Sequence, residues 1–325
     1  METVSTERLA ELVDGDDEHL SVAAGSPLVV IDLTTASATA DRLATMLGGL
    51  PCVLVGFGED TPSTTIAGAL DVVTDDVGVI DAIAANVERA PMAATALALL
   101  LRGRDGRSID EALVAESSAY SMLQGSAEFA AWRASRPARP VVDPDDVVVA
   151  TRVGDTLDVV LNRPNRHNAF SMAMRDRLVE ALRLALVDDE IDRVVLRGAG
   201  RSFSSGGDLD EFGSFGDAAR AHGVRLTRSA ARLMARLSER VECRLHGACM
   251  GAGIELPAFA AHLIARPDAF FALPEVAYGL VPGAGGTASL PRRIGRQRTA
   301  RMALTAERVD APTALAWGLI DRIEE

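Results

Sequence analysis

The sequence predicts an α/β protein built on a parallel-type sheet, and three observations lead there. Strand-like and helix-like segments alternate after residue 147. A fainter strand–helix–strand of the same kind occupies residues 28–57. The stretch between, 77–135, is almost wholly helical. With 325 residues, 48% of them hydrophobic, the chain can bury a sizeable core as one large domain or two smaller ones.

Taken in order, residues 1–26 read as an N-terminal leader. Residues 28–33 (LVVIDL) form a strand, 38–47 a helix and 52–57 (CVLVGF) a second strand. Three helical segments follow. Ser108 and Glu111, three apart, make a capping-box signature for the last of them. Prolines 137, 140 and 144 discourage regular structure, so 136–146 reads as a linker. Beyond it come a strand at 157–162, an amphipathic helix at 171–186 with Met174, Leu178, Ala181, Leu182 and Ala185 on one stripe, and a short β-branched strand at 193–197. One helix is expected over 217–239, then a strand at 243–246 that runs into a glycine-rich turn.

Composition removes several classes. The chain carries 33 arginines and no lysine against 46 acids, for a net charge of −13. That balance argues against a binder that grips nucleic acid by phosphate neutralisation. No apolar run approaches a membrane span, and the first residues lack the basic and apolar regions of a signal peptide. Three cysteines and five histidines never reach metal-ligand spacing, so no metal site is expected. The natural expectation is a reduced, cytoplasmic protein. The charge is uneven: residues 1–146 hold 24 acids and nine arginines, net −15, and the remainder is net +2.

Chemistry is most readily placed on two glycine-rich turns that follow strands. One is Ser202-Phe203-Ser204-Ser205-Gly206-Gly207-Asp208; the other is Gly247-Ala248-Cys249-Met250-Gly251-Ala252-Gly253-Ile254-Glu255. Glycine lets backbone come close to a ligand with free N–H groups directed at it. Neither turn is a phosphate-binding P-loop, which needs a lysine, and Leu256 breaks a full GxGxxG. Glu255 is expected at the start of an apolar helix over 256–261, where a carboxylate could simply complement the helix dipole. Glu275 sits among apolar residues before Gly279, as a surface acid or as half of an acid/base pair. Spacing alone leaves both open.

These residues resemble a known family. His246 to Leu256, the run Leu273-Pro274-Glu275-Val276-Ala277-Tyr278-Gly279-Leu280-Val281-Pro282-Gly283, Phe203 to Leu209, Asn162-Arg163-Pro164 with Asn168-Ala169, and Trp317-Gly318-Leu319-Ile320-Asp321 look like the enoyl-CoA hydratase/isomerase (crotonase) family, in its order and spacing over about 150–322. The resemblance implies a crotonase-like spiral of ββα repeats. It implies an oxyanion hole from the N–H groups of Gly207 and Ala252, and catalytic glutamates at Glu255 and Glu275. Ser205, Gly206, Asp208 and Gly251 would border the substrate. Arg166 is the candidate contact for the CoA phosphates, since no lysine is available. Coenzyme A would enter as part of the substrate, with no separate cofactor. A trimer or hexamer is likewise implied. Both glutamates together favour hydration of a 2-enoyl-CoA; isomerisation, acyl-CoA hydrolysis and a non-catalytic thioester-binding relative stay open. His246 and Ala261-His262 depart from the family pattern, and both histidines lie outside its reacting positions.

The order of segments departs as well. Relatives continue past the Gly-Leu-Ile-Asp motif with helices that cover the site, and this sequence stops at Glu325. Residues 77–135 look like those helices, and Leu70-Asp71-Val72-Val73 echoes Ile320-Asp321-Arg322-Ile323. The expectation is that 27–135 is a degenerate crotonase-like copy that lends its helices to a catalytic core at 147–325. An unrelated helical domain is the alternative.

Overall fold

The computed structural model describes residues 3–15, 17–34, 40–58, 65–136, 139–140 and 143–325. The N-terminal part runs β1 (Thr3–Ser5), α1 (Thr6–Gly15), β2 (Leu28–Asp32), α2 (Ala40–Met46), β3 (Val53–Phe57), α3 (Thr65–Ala69) and β4 (Val72–Thr74). All four strands are parallel, in the order β1-β2-β3-β4. Strand alternation splits their side chains. Val29, Ile31 and Leu54 pack with Leu9, Leu43 and Leu47 in a local core on one face. Val30, Val53, Val55 and Val72 join the main core on the other. The segment expected as a leader is therefore part of the sheet: β1 pairs with β2, and Leu9 of α1 is fully buried. Three residues of strand are too few for a period-two pattern to stand out.

Four helices follow: α4 (Val77–Arg89), α5 (Pro91–Arg102), α6 (Ile109–Gln124) and α7 (Ala127–Ser135). The capping box of α6 is present, with Ser108 Oγ accepting from Glu111 N at 3.2 Å and Ser108 N donating back to the Glu111 carboxylate at 2.8 Å. Pro91 opens α5, where its missing N–H costs nothing. Glu128 caps the same end, accepting from Met92 N and Ala93 N.

The C-terminal part begins with a hairpin, β5 (Val148–Val153) and β6 (Thr156–Leu161), then α8 (Met172–Val187), β7 (Arg193–Gly198), α9 (Ala218–Thr227) and α10 (Ala230–Arg236). It continues with β8 (Val241–Leu245), β9 (Ala248–Met250), α11 (Ala252–Glu255), β10 (His262–Ala265), β11 (Phe270–Ala272), α12 (Gly286–Thr305), β12 (Val309–Asp310), α13 (Ala311–Trp317) and β13 (Arg322–Ile323). Six strands form one sheet, β13-β10-β8-β7-β6-β5, parallel except for the edge hairpin; β12-β11-β9 form a second.

Two expectations need correction here. The single helix over 217–239 is two helices, because Ser229 is extended and caps a new start, accepting from Arg232 N at 3.1 Å. The apolar helix over 256–261 is instead the one-turn α11, ending at Glu255, followed by a 3-10 turn at Pro257–Phe259. Pro257 cannot donate to continue the α-helical ladder.

The two parts share one apolar core, which runs from Val30 through α4–α6 to Ile320. Helices α4, α5 and α6 all pack on α12. Polar ties reinforce the seam: Asn86 Nδ2 donates to Leu304 O at 2.9 Å, and Gln297 Nε2 donates to Ala67 O at 2.7 Å. Asp71, fully buried, is gripped by Arg102 at 2.5 Å and by Arg296 of α12 at 3.4 Å. Among the described residues no helix is long and apolar enough to cross a membrane.

Candidate active site

Asn168 organises the first glycine turn. It is fully buried with φ +53°, a conformation asparagine tolerates. Its Oδ1 accepts from Arg163 N, and its Nδ2 donates to Ala199 O, Ser202 O and Phe203 O. Ser204 Oγ donates to Asn168 O and accepts from Gly206 N. The next peptides are held by Phe170, whose N donates to Gly206 O while its O accepts from Asp208 N. The N–H between them, on Gly207, has no partner among the described residues. A side chain at Gly207 would stand 2.5 Å from the Phe212 ring and would have to displace it.

The second turn supplies the facing amide. Gly251 has φ +48° and ψ −123°, and a side chain there would collide with the Glu275 carboxylate. Ala252 opens α11 with negative φ, as its alanine requires; its N–H, one of the orphan donors of a helix start, also has no partner among the described residues. Two unengaged amides thus border one cavity.

Glu255 and Glu275 line that same cavity, of about 220 Å³, and both are buried. Glu255 Oε2 accepts from Ala284 N at 2.7 Å and Gly286 N at 2.9 Å. Glu275 stands at the head of a 3-10 turn, and its Oε2 is buried with no partner among the described residues. Burial pushes both carboxyls upward, Glu275 to about 8, and the neighbouring Glu275 charge pushes Glu255 further in the same direction. The two amide donors oppose that rise at Glu255. The two carboxyls therefore titrate as a unit, and of the pair only Glu255 holds amide donors from the 284–286 turn.

A third carboxylate on the cavity wall comes from the first half of the chain. Glu116 of α6 is 2% exposed. Its Oε1 accepts from Gly285 N at 2.7 Å; its Oε2 accepts from Thr287 N and Thr287 Oγ1 at 2.8 and 2.7 Å. Glu255 and Glu116 thus hold alternate amides of one turn, 284 and 286 against 285 and 287. Burial raises Glu116 to about 7. In the sequence, Glu116 is one acid within the helical stretch 77–135, with no motif to mark it. The available signal was an acid at a buried position of a helical stripe, Ala112, Leu113, Glu116, Ser117, Tyr120, Leu123.

Other expected residues fall differently. Asp208 is on the wall and is tied to Arg163 at 2.8 Å. Ser205, Gly206 and Gly251 shape the backbone that carries the free amides and do not line the cavity. Arg166 also lies off the cavity lining, with Nη2 on Asp208 at 2.9 Å and on Asp210 at 2.6 Å. His246 meets Gly200 O at 3.1 Å and His262 is exposed at the start of β10; neither reaches the cavity. Phe212 and Phe215 from the turn before α9, Val224 of α9, and Leu113 and Tyr120 of α6 give the cavity its apolar surface.

The part of the chain that carries this cavity is similar to known proteins. A family model described as enoyl-CoA hydratase/isomerase matches residues 154–324. The 2,3-dehydroadipyl-CoA hydratase of Escherichia coli K12 is 34% identical over 176 residues, 54% of this chain and 68% of that one. The 1,2-epoxyphenylacetyl-CoA isomerase of the same strain is 36% identical over 169 residues, 50% of this chain and 64% of that one. The chain spans about two thirds of the length of these relatives. The crystal structure of enoyl-CoA hydratase from Thermoplasma volcanium GSS1 superposes with a TM-score of 0.51 at 34% identity, covering 55% of this chain and 71% of that one.

Proposed function

Because the chain belongs to the enoyl-CoA hydratase/isomerase family and shares its crotonase fold, we propose that it adds water across the double bond of a 2-enoyl-CoA to give a 3-hydroxyacyl-CoA. The observation that carries this reading is the pair of buried glutamates facing one cavity together with two unengaged amides.

The thioester oxygen accepts from Gly207 N–H and Ala252 N–H, and the first turn of α11 adds its positive end. Donors fixed in advance stabilise the enolate charge as it develops, commonly the largest catalytic term. Glu255, as the carboxylate, takes a proton from water while the water oxygen bonds to C3. The electron pair of the double bond moves toward the thioester oxygen. Glu275, as the acid, gives its proton to C2 as the carbonyl reforms. The sum is one water added; passing the proton from Glu255 to Glu275 resets the pair.

Residues 27–135 take, in this reading, the place of the helices that relatives carry after their last motif. The packing of α4–α6 on α12 and the reach of Glu116 into the cavity support it.

Hydration followed by loss of the conjugated thioester absorbance tests the reaction. Glu255→Gln and Glu275→Gln are each expected to lower kcat by roughly 10²–10⁴-fold. Loss in only one variant, with double-bond migration as product, would transfer the assignment to an isomerase. Binding without turnover by wild type would sink the catalytic reading.

A further inference from the structure

One cation on the cavity wall makes no direct ion pair among the described residues, although the Glu116 charge nearby favours its charged form. Arg225 of α9 lines the cavity wall. Its Nε donates to Ser117 Oγ at 3.0 Å, and its Nη2 donates to Ser117 O and Ser121 Oγ. Its guanidinium lies 4.8 Å from the Tyr120 ring centroid. These partners are neutral. Among the described residues no carboxylate pairs with Arg225, and its Nη1 has no acceptor. None of the acids of the same wall bonds to it: Glu116 holds the 285 and 287 amides, Asp208 holds Arg163 and Arg166, Glu211 accepts from Met172 N, Glu255 holds the 284 and 286 amides, and Glu275 makes no hydrogen bond or ion pair to Arg225 among the described residues. The nearby cations do not help. Arg175 on the same wall pairs only with its neighbour Asp176, and Arg228 has no ion pair among the described residues.

A partly buried cation facing an apolar cavity is costly unless an anion meets it. Desolvation already works against the charged form of Arg225. An alkyl acyl chain drawn into the cavity would strip the remaining water and leave the charge unpaired. A carboxylate would satisfy it, and the free Nη1 beside Nη2 offers the forked donors that a carboxylate accepts best.

Position identifies which end of a substrate would bring that anion. The Tyr120 ring lies against Gly283, where an added Cβ would be 2.5 Å from Cδ2 and Cε2. Gly283 precedes Ala284, whose N–H holds Glu255. Arg225 is therefore one aromatic ring and one turn of backbone from the glutamate pair, within reach of a short acyl chain. The CoA phosphates are separated from the thioester by the whole pantetheine arm.

We propose that Arg225 receives a carboxylate at the far end of the acyl chain, so that the substrate class is the CoA monothioester of a short α,ω-dicarboxylic acid. The proposal rests on the acyl-CoA reading of the cavity but not on turnover, and its test is a binding measurement. Dissociation constants are measured by calorimetry for adipyl-CoA, its tail methyl ester and hexanoyl-CoA, three saturated ligands with the same CoA portion. Wild type is expected to bind adipyl-CoA at least tenfold more tightly than either neutral-tailed ligand. Arg225→Gln should bring that ratio close to one, and Arg225→Lys, which keeps the charge, should retain most of it. Equal affinity for the three ligands in wild type overturns the proposal without mutagenesis. A ratio that survives in Arg225→Gln overturns the assignment to Arg225. Parallel weakening of all three ligands in Arg225→Gln, with the ratio intact, would mean that the residue serves the CoA phosphates or the fold. Hydration assays that fail while the binding ratio holds would refute the reaction and leave the tail recognition standing.

Discussion

At the scale of single residues, the cavity is governed by three carboxylates that water cannot reach freely. Their ordinary value is near 4.5, and burial raises Glu275 to about 8 and Glu116 to about 7. The folded protein therefore holds protons that the unfolded chain releases as pH rises through this range. The contribution of these carboxyls to stability is greatest below about 4.5 and declines as pH climbs to about 8. Urea unfolding at pH 5, 7 and 9 should show that decline, and Glu275→Gln should flatten it, gaining on the order of 1–2 kcal/mol over wild type at pH 9. Glu116 acts differently, through the turn it shares with Glu255. Glu116→Gln replaces an acceptor facing Thr287 with a donor and removes a charge that raises Glu255. We expect kcat for hydration to fall about tenfold, roughly 1.4 kcal/mol, with the pH–rate limb set by the pair moving to lower pH. A stability change with an unmoved pH profile would assign Glu116 to packing alone.

At the scale of elements, the strand–helix alternation and the α6 capping box were legible because local chemistry decides them. Ser108 and Glu111 satisfy backbone donors three residues apart whatever surrounds them. Ser108→Ala should cost about 1 kcal/mol, read by denaturation. It should also weaken activity, since α6 carries Glu116 to the site. The glycine turns and both glutamates were legible from their motifs. Less legible were features set by contacts between distant segments. Gly251, with positive φ and packed against the Glu275 carboxylate, starts α11 earlier than the apolar pattern suggests, which leaves Glu255 at the end of a helix. Ser229 looks like any helix-compatible residue in the 217–239 stripe until its side chain is seen to cap α10. Arg166 stood beside the right motif, yet two aspartates from the next turn take its guanidinium. Arg225 gave no signal, because only the fold brings it over Tyr120.

At the scale of the whole molecule, the two parts of the chain share a core and a cavity wall, so they should unfold together. Asp71 is the sharpest probe of that union, buried between Arg102 of α5 and Arg296 of α12. Removing it leaves two arginines short of a counter-charge, and Asp71→Ala should cost about 3–5 kcal/mol. Calorimetry of wild type is expected to give one transition; two separated transitions would mean that the halves are independent bodies. The order of the parts also bears on how the protein is made. The helix that bears Glu116 leaves the ribosome well before the turn it must hold, and α4 and α5 emerge before α12, on which they pack. During that interval their apolar faces have only the four-stranded sheet to rest on. Slow synthesis of the second half, or loss of that sheet, should therefore surface as aggregation of nascent chain, a cost borne before any catalytic residue has been translated.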